Sequence, residues 1–214
     1  MNSCNFQYDL VVLTADKNMQ FAVEGLLGRR EALKIHPIQV EFYIHPWRDP
    51  GCLNHSEKFL QPFVNRYAHA LVIFDHEGCG QDKKHNREEL EKKVLSALSR
   101  SGWEDRASAI VIEPELENWV FSDSPEVDNA MGWSDRSQTL RHWMEEKNFL
   151  VSGKIKPSHP KEAMEAALKH VRSPRSSSLY KKLSERVGLG RCTDPAFLKL
   201  KTTLQSWFPV PDYK

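Results

Sequence analysis

The chain has little of several things, and each shortage narrows what it can be. Four cysteines among 214 residues (Cys4, Cys52, Cys79 and Cys192) are too few and too scattered for a disulfide framework, so stability has to come from a packed core. No apolar run approaches the roughly 20 residues that a bilayer span needs, which argues against a membrane-spanning helix. The opening residues MNSCNFQYDL show neither a basic leader nor an apolar signal core, and a cytoplasmic protein without a membrane partner is the expectation. There is no internal repeat, and the only biased stretch is the short SPRSSS at 173–178.

What is present suits a globular protein: 40% hydrophobic residues, 28% charged residues, ten Phe and six Trp. The net charge of +1 hides an asymmetry. Residues 1–125 hold 14 Lys and Arg against 19 Asp and Glu, whereas residues 126–214 hold 16 against 10. Within 154–201 there are 12 basic residues and 4 acidic ones, a density able to neutralise a phosphate backbone or to coat a solvated helical surface.

Short apolar, β-branched runs at 8–14 (YDLVVLT), 38–44 (IQVEFYI), 69–75 (HALVIFD) and 107–113 (ASAIVIE) predict four strands. Helical spacing over 17–31 and over 86–102, the latter opened by Asn86 and closed by Gly102, places helices between them. Strands alternating with helices imply a mostly parallel sheet covered on both faces. HPWRDPGCLNH (45–55) reads as a loop, and SEKFLQPFVNRY as a helix capped by Ser56 and limited by Pro62. Beyond about residue 125 the pattern becomes amphipathic helices: RSQTLRHWMEEK, PKEAMEAALKHV, SSSLYKKLSERV and DPAFLKLKTTLQSWF. The division expected is an α/β domain over 1–125 and a basic helical region over 126–214.

The chemistry is expected where strands end. Ligands of open parallel sheets bind at the carboxyl ends of the strands, and here those ends carry acids: Asp16 after the first strand, Asp75 and Glu77 at the third, and Glu113, Glu115 and Glu117 after the fourth. Carboxylates brought together repel, and a hard divalent cation relieves the repulsion. Asp16, Asp75 and Glu77 are the candidate ligands for Mg²⁺ or Mn²⁺, with Glu117 completing the set. Gly78 and Gly80 allow a tight turn beside them. Capping of the following helices is the structural alternative.

These motifs resemble the TOPRIM-like fold of topoisomerases, primases and small ribonucleases, in which a glutamate ends the first strand and an acid-x-acid motif ends a later one. Here Asp75 and Glu77 match the second motif, while Thr14 stands where the first acid belongs and Asp16 follows two positions later. PELENWVFSD, with HPWRDPGC, FDHEGCG, KPSHPKEAM and RCTDPAFLKL, resembles a small component of bacterial methylation-associated defence systems. The resemblance implies a TOPRIM-like sheet and a Mg²⁺-dependent nuclease-like component of anti-phage defence. Asp16, Asp75, Glu77 and Glu117 would be its catalytic residues, with nucleic acid and other defence proteins as partners. Thr14 favours the alternative, a catalytically silent adaptor or sensor.

Arg48, Lys156, Lys161 and Arg191, together with RSSS at 175–178, are the candidates for phosphate binding, with solvated helix ends and caps as the alternative for the basic region; His45 and Asp49 beside Arg48 either contact phosphate or clamp the loop. Glu24 and Gly25 read as a solvated mid-helix face. Trp119, Trp143 and Trp207 read as core anchors. Cys52 with His55, and His76 with Cys79, have spacings that zinc tolerates, although both pairs sit in segments with other reasons for small or polar residues.

Overall fold

A computed structural model of the chain describes residues 6–122, 124–190 and 192–211. Four strands, β1 (Tyr8–Thr14), β2 (Val40–Ile44), β3 (Tyr67–Asp75) and β4 (Ala107–Ile112), form one all-parallel sheet in the order β2-β1-β3-β4. The unbroken apolar runs of β1, β3 and β4 are explained by burial on both faces: Leu10 to Leu13, Leu71 to Phe74 and Ala109 to Ile112 are all fully buried. Register aligns the strand ends, with Thr14 opposite Ile44 and Ile73, and Asp75 opposite Ile112.

The helices start where the chain offers caps. Asp16 accepts from Met19 N–H at 2.9 Å to open α1 (Lys17–Leu27). A short α2 (Arg30–Leu33) precedes β2. Asn86 and Glu89 form a reciprocal capping box on α4 (Arg87–Leu98). The helix between β2 and β3 departs from expectation: α3 spans Arg48–Leu60, eight residues earlier than Ser56, which lies buried in its middle. Pro50 is tolerated because it falls in the first turn, where its missing N–H has no intrahelical partner. Beyond β4 follow α5 (Glu117–Val120), α6 (Pro125–Ala130), α7 (Leu140–Glu146), α8 (Pro160–His170), α9 (Ser177–Arg186) and α10 (Pro195–Trp207).

This helical region packs onto the sheet domain, and one apolar core runs across the 125/126 boundary from Leu10 to Phe208. The contact between α1 and α9 depends on Gly25. A Cβ there would lie 2.0 Å from Ser184 Oγ and 2.8 Å from the Lys181 carbonyl. Gly25 is therefore a buried close-approach point, and Glu24 pairs with Lys181 at 3.5 Å, in place of the solvated face expected from sequence. The charge asymmetry closes on itself in the same way. Lys161, Arg175, Lys181 and Lys199 of the basic region pair with Glu115, Glu117, Glu24 and Glu91 of the acidic one. Trp143 is buried among aromatic neighbours, Trp207 stacks on His69, and Trp119 packs on Phe197, so all three serve the interior.

Candidate functional site

The strand order places β1 and β3 side by side, with connections leaving in opposite directions: β1 leads to β2 on one flank and β3 to β4 on the other. Such a reversal opens a crevice at the carboxyl ends of the two strands. A cavity of about 100 Å³ lies there. It is lined by Asp16 after β1, Arg48 and Asp49 after β2, Asp75, Glu77 and Gly78 at β3, Glu115 and Glu117 after β4, and Asn18, Lys161 and Arg175. Six carboxylates face three cations.

Each acid is held differently. Asp49 accepts from the Asp75 backbone N–H at 2.9 Å, fastening the start of α3 to the end of β3. Glu115 accepts from Lys161 N–H at 2.8 Å. Glu117, almost wholly buried, accepts from Arg175 at 2.6 Å and from the Tyr180 hydroxyl. Arg175 in turn reaches Glu165 at 2.7 Å and the Tyr180 oxygen at 2.6 Å. Asp16 gives Oδ1 to the α1 cap. Gly78, at φ +92°, turns the chain beside Asp49 with a backbone that a side chain would strain.

Asp75 is the exception. Its Oδ1 is buried and has no hydrogen-bond partner. Burial first, then the neighbouring carboxylates of Asp49, Glu117, Asp16 and Glu115, push its pKa well above the ordinary carboxylate range. Burial also raises Asp49 and Glu115, opposed by the N–H groups that each accepts. Among the described residues no three His, Cys, Asp or Glu side chains already converge as a metal cage. The acids line the cavity, and four of them are turned towards protein donors.

Asp16, Asp75, Glu77, Glu117 and Arg48 thus meet around one cavity, as the strand-end rule anticipates, and Lys161 joins them from α8. Lys156 does not join them. It sits 3.7 Å from Asp194 Oδ2 and lines a separate, mainly apolar cavity of about 400 Å³ beyond Leu116 and Tyr180. Arg191 lies outside the described residues. Thr14, fully buried, has its hydroxyl within 3.2 Å of the Asp16 carbonyl and 3.3 Å of the Tyr43 carbonyl, so it braces the β1 terminus. Cys52 is buried in α3, and His76 bonds the His85 carbonyl at 2.9 Å, which gives both candidate zinc pairs structural duties.

Tyr180 is not signalled as a site residue by sequence, and Arg175 is visible only as part of the RSSS stretch read as a backbone grip; what brings both to Glu117 is the docking of α9, a contact across about 60 residues that no local pattern encodes. Asp49 and Glu115 were visible as acids near strand ends but indistinguishable from caps. No protein-family model, curated protein or solved structure matches the chain, and the chemistry of this cavity is the ground on which its role can be assigned.

Proposed function

We propose that this chain is a Mg²⁺- or Mn²⁺-dependent nuclease-like protein of TOPRIM-like fold that hydrolyses phosphodiesters at the acidic cavity. The observation that carries the proposal is Asp75 Oδ1, a buried, unpartnered carboxylate oxygen facing five further acids at the sheet's switch point. Buried polar atoms without partners are costly, and a divalent cation would satisfy this one. Asp75, Asp16 and Glu77 would hold it. When bound, such a cation neutralises phosphodiester charge and lowers the pKa of an attacking water.

The protein's own groups supply the rest. Arg48 and Lys161 stand at the cavity as donors for a phosphate. Asp16 Oδ2, with no hydrogen bond among the described residues, is available to orient the water and take up its proton. Glu117 is held in a fixed place by Arg175 and Tyr180. In the hydrolysis, the water oxygen joins phosphorus as the P–O bond to the leaving sugar oxygen breaks. The sequence resemblance supplies the setting, a component of bacterial anti-phage defence.

A second reading, a silent adaptor or sensor, draws on the pairing of Glu115 and Glu117 with protein cations and on the bracing role of Thr14. The deciding experiment is Mn²⁺-dependent cleavage of a labelled oligonucleotide by wild type and by Asp75→Asn. Cleavage lost in the folded variant supports the nuclease; phage protection unchanged by Asp75→Asn leaves only the adaptor.

A further inference from the structure

The segment His45-Pro46-Trp47-Arg48-Asp49-Pro50-Gly51 is built to hold one aromatic ring outside the protein. His45 is buried, and its Nδ1 accepts from the Trp47 backbone N–H at 3.1 Å. A Cβ at residue 51 would lie 2.0 Å from that same Nδ1, so only glycine lets α3 close over the imidazole. Arg48 takes φ +49°, a conformation that non-glycine residues adopt rarely and often at functional sites. Asp49 is tied to Asp75 N–H. The outcome of all this bracing is that Trp47 is 62% exposed, supported at its edge by His55 with ring centroids 4.8 Å apart. Burying a tryptophan ring is strongly favourable, so a ring held out by an anchored segment offers its apolar face to a ligand.

Its neighbour indicates the occupant. Arg48 lines the acidic cavity and makes no ion pair among the described residues. A flat aromatic face therefore stands one residue from a free guanidinium at the mouth of a site proposed for phosphodiesters. We infer that Trp47 is a base-stacking platform, and that the substrate is a single-stranded nucleic acid whose unpaired base lies on Trp47 while the adjoining phosphate meets Arg48. Stacking needs a base free of its partner strand, which is why duplex is the poorer substrate. The inference rests on the phosphodiester reading of the acidic cavity and adds to it the strandedness and the base contact.

The test compares the full-length protein with Trp47→Ala and Trp47→Phe on two labelled strands of equal length and charge, one carrying bases and one abasic, with Mn²⁺ present. Base stacking predicts that Trp47→Ala loses roughly 5- to 100-fold in KM for the base-bearing strand, that Trp47→Phe recovers most of it, and that both variants match wild type on the abasic strand. Arg48→Ala should weaken both strands alike. Circular dichroism checks that each variant folds. Wild type handling the two strands equally, or Trp47→Ala losing equally on both, overturns the stacking inference while leaving the nuclease intact. Wild type cleaving neither strand overturns the nuclease proposal and this inference with it.

Discussion

Replacing Asp75 by Asn should make the cation-free protein more stable, the opposite of what removal of a buried polar interaction usually does. Asp75 is raised well above the ordinary carboxylate range in the folded chain. A group raised in this way binds its proton more tightly folded than unfolded, so its contribution to stability declines as pH climbs from the unfolded value of about 3.9 towards the folded one. Asp49 and Glu115 are shifted in the same direction and add to the decline. Asn keeps the shape, carries no charge, and brings an amide that the surrounding carboxylates can accept from. Relieving a buried unsatisfied group is worth about 1–3 kcal/mol, which for a chain of this length corresponds to a rise of about 2–12 °C in Tm. The assay is thermal unfolding in chelator at pH 5 and pH 8, then with Mn²⁺ added. Wild type should melt lower at pH 8 than at pH 5 and be rescued by Mn²⁺, because a ligand bound only by the folded state stabilises it. Asp75→Asn should melt higher at pH 8 in chelator, depend less on pH, and lose the response to Mn²⁺. A variant that melts below wild type in chelator, or answers Mn²⁺ as wild type does, refutes both the electrostatic account of Asp75 and its role as a ligand.

Other outcomes follow from the same geometry. Gly25→Ala, which helix propensity alone would favour by about 1 kcal/mol, should instead cost about 1–3 kcal/mol by forcing α1 from α9, read as a lowered denaturation midpoint. Tyr180→Phe removes a hydroxyl that donates to Glu117 and should cost about 1.5–3 kcal/mol; adding Glu117→Gln should recover part of this, with a coupling of at least about 0.5 kcal/mol in the double-mutant cycle. Nucleic-acid affinity should depend only shallowly on salt, with a log–log slope of about −1 to −2 for one or two phosphate contacts by Arg48 and Lys161. A slope several times steeper would show that the basic helices contact the strand after all.

The four strands and their parallel arrangement were legible because β1, β3 and β4 carry unbroken apolar runs at 10–13, 70–74 and 109–112, the mark of strands covered on both faces. The acidic edge was legible for a related reason: a carboxylate does not fit the fully buried part of such strands, and Asp75 ends β3 while Asp16 and Glu117 come after β1 and β4. The start of α3 was hidden, since Trp47-Arg48-Asp49-Pro50-Gly51 looks like a turn by composition, and its helical geometry depends on the buried His45 ring beneath Gly51. The destination of the basic residues was hidden as well. Local density cannot distinguish a surface prepared for phosphate from one prepared for the chain's own acids, and Arg175, Lys181 and Lys199 meet the latter.

The link from Glu117 to Arg175 and Tyr180 also bears on the order of events during synthesis. The partners lie 58 and 63 residues further along the chain. At elongation rates of about 5–20 residues per second, Glu117 leaves the ribosome roughly 3–13 s ahead of the groups that hold it. Throughout that interval the sheet can form, since all four strands have been made, but the cavity has a loose acid and an open wall. The nascent chain therefore passes through a stage in which all four strands have been made while both the shared core and the site are unfinished. An activity directed at nucleic acid would be withheld from the emerging chain and from its own messenger until α9 settles against Gly25.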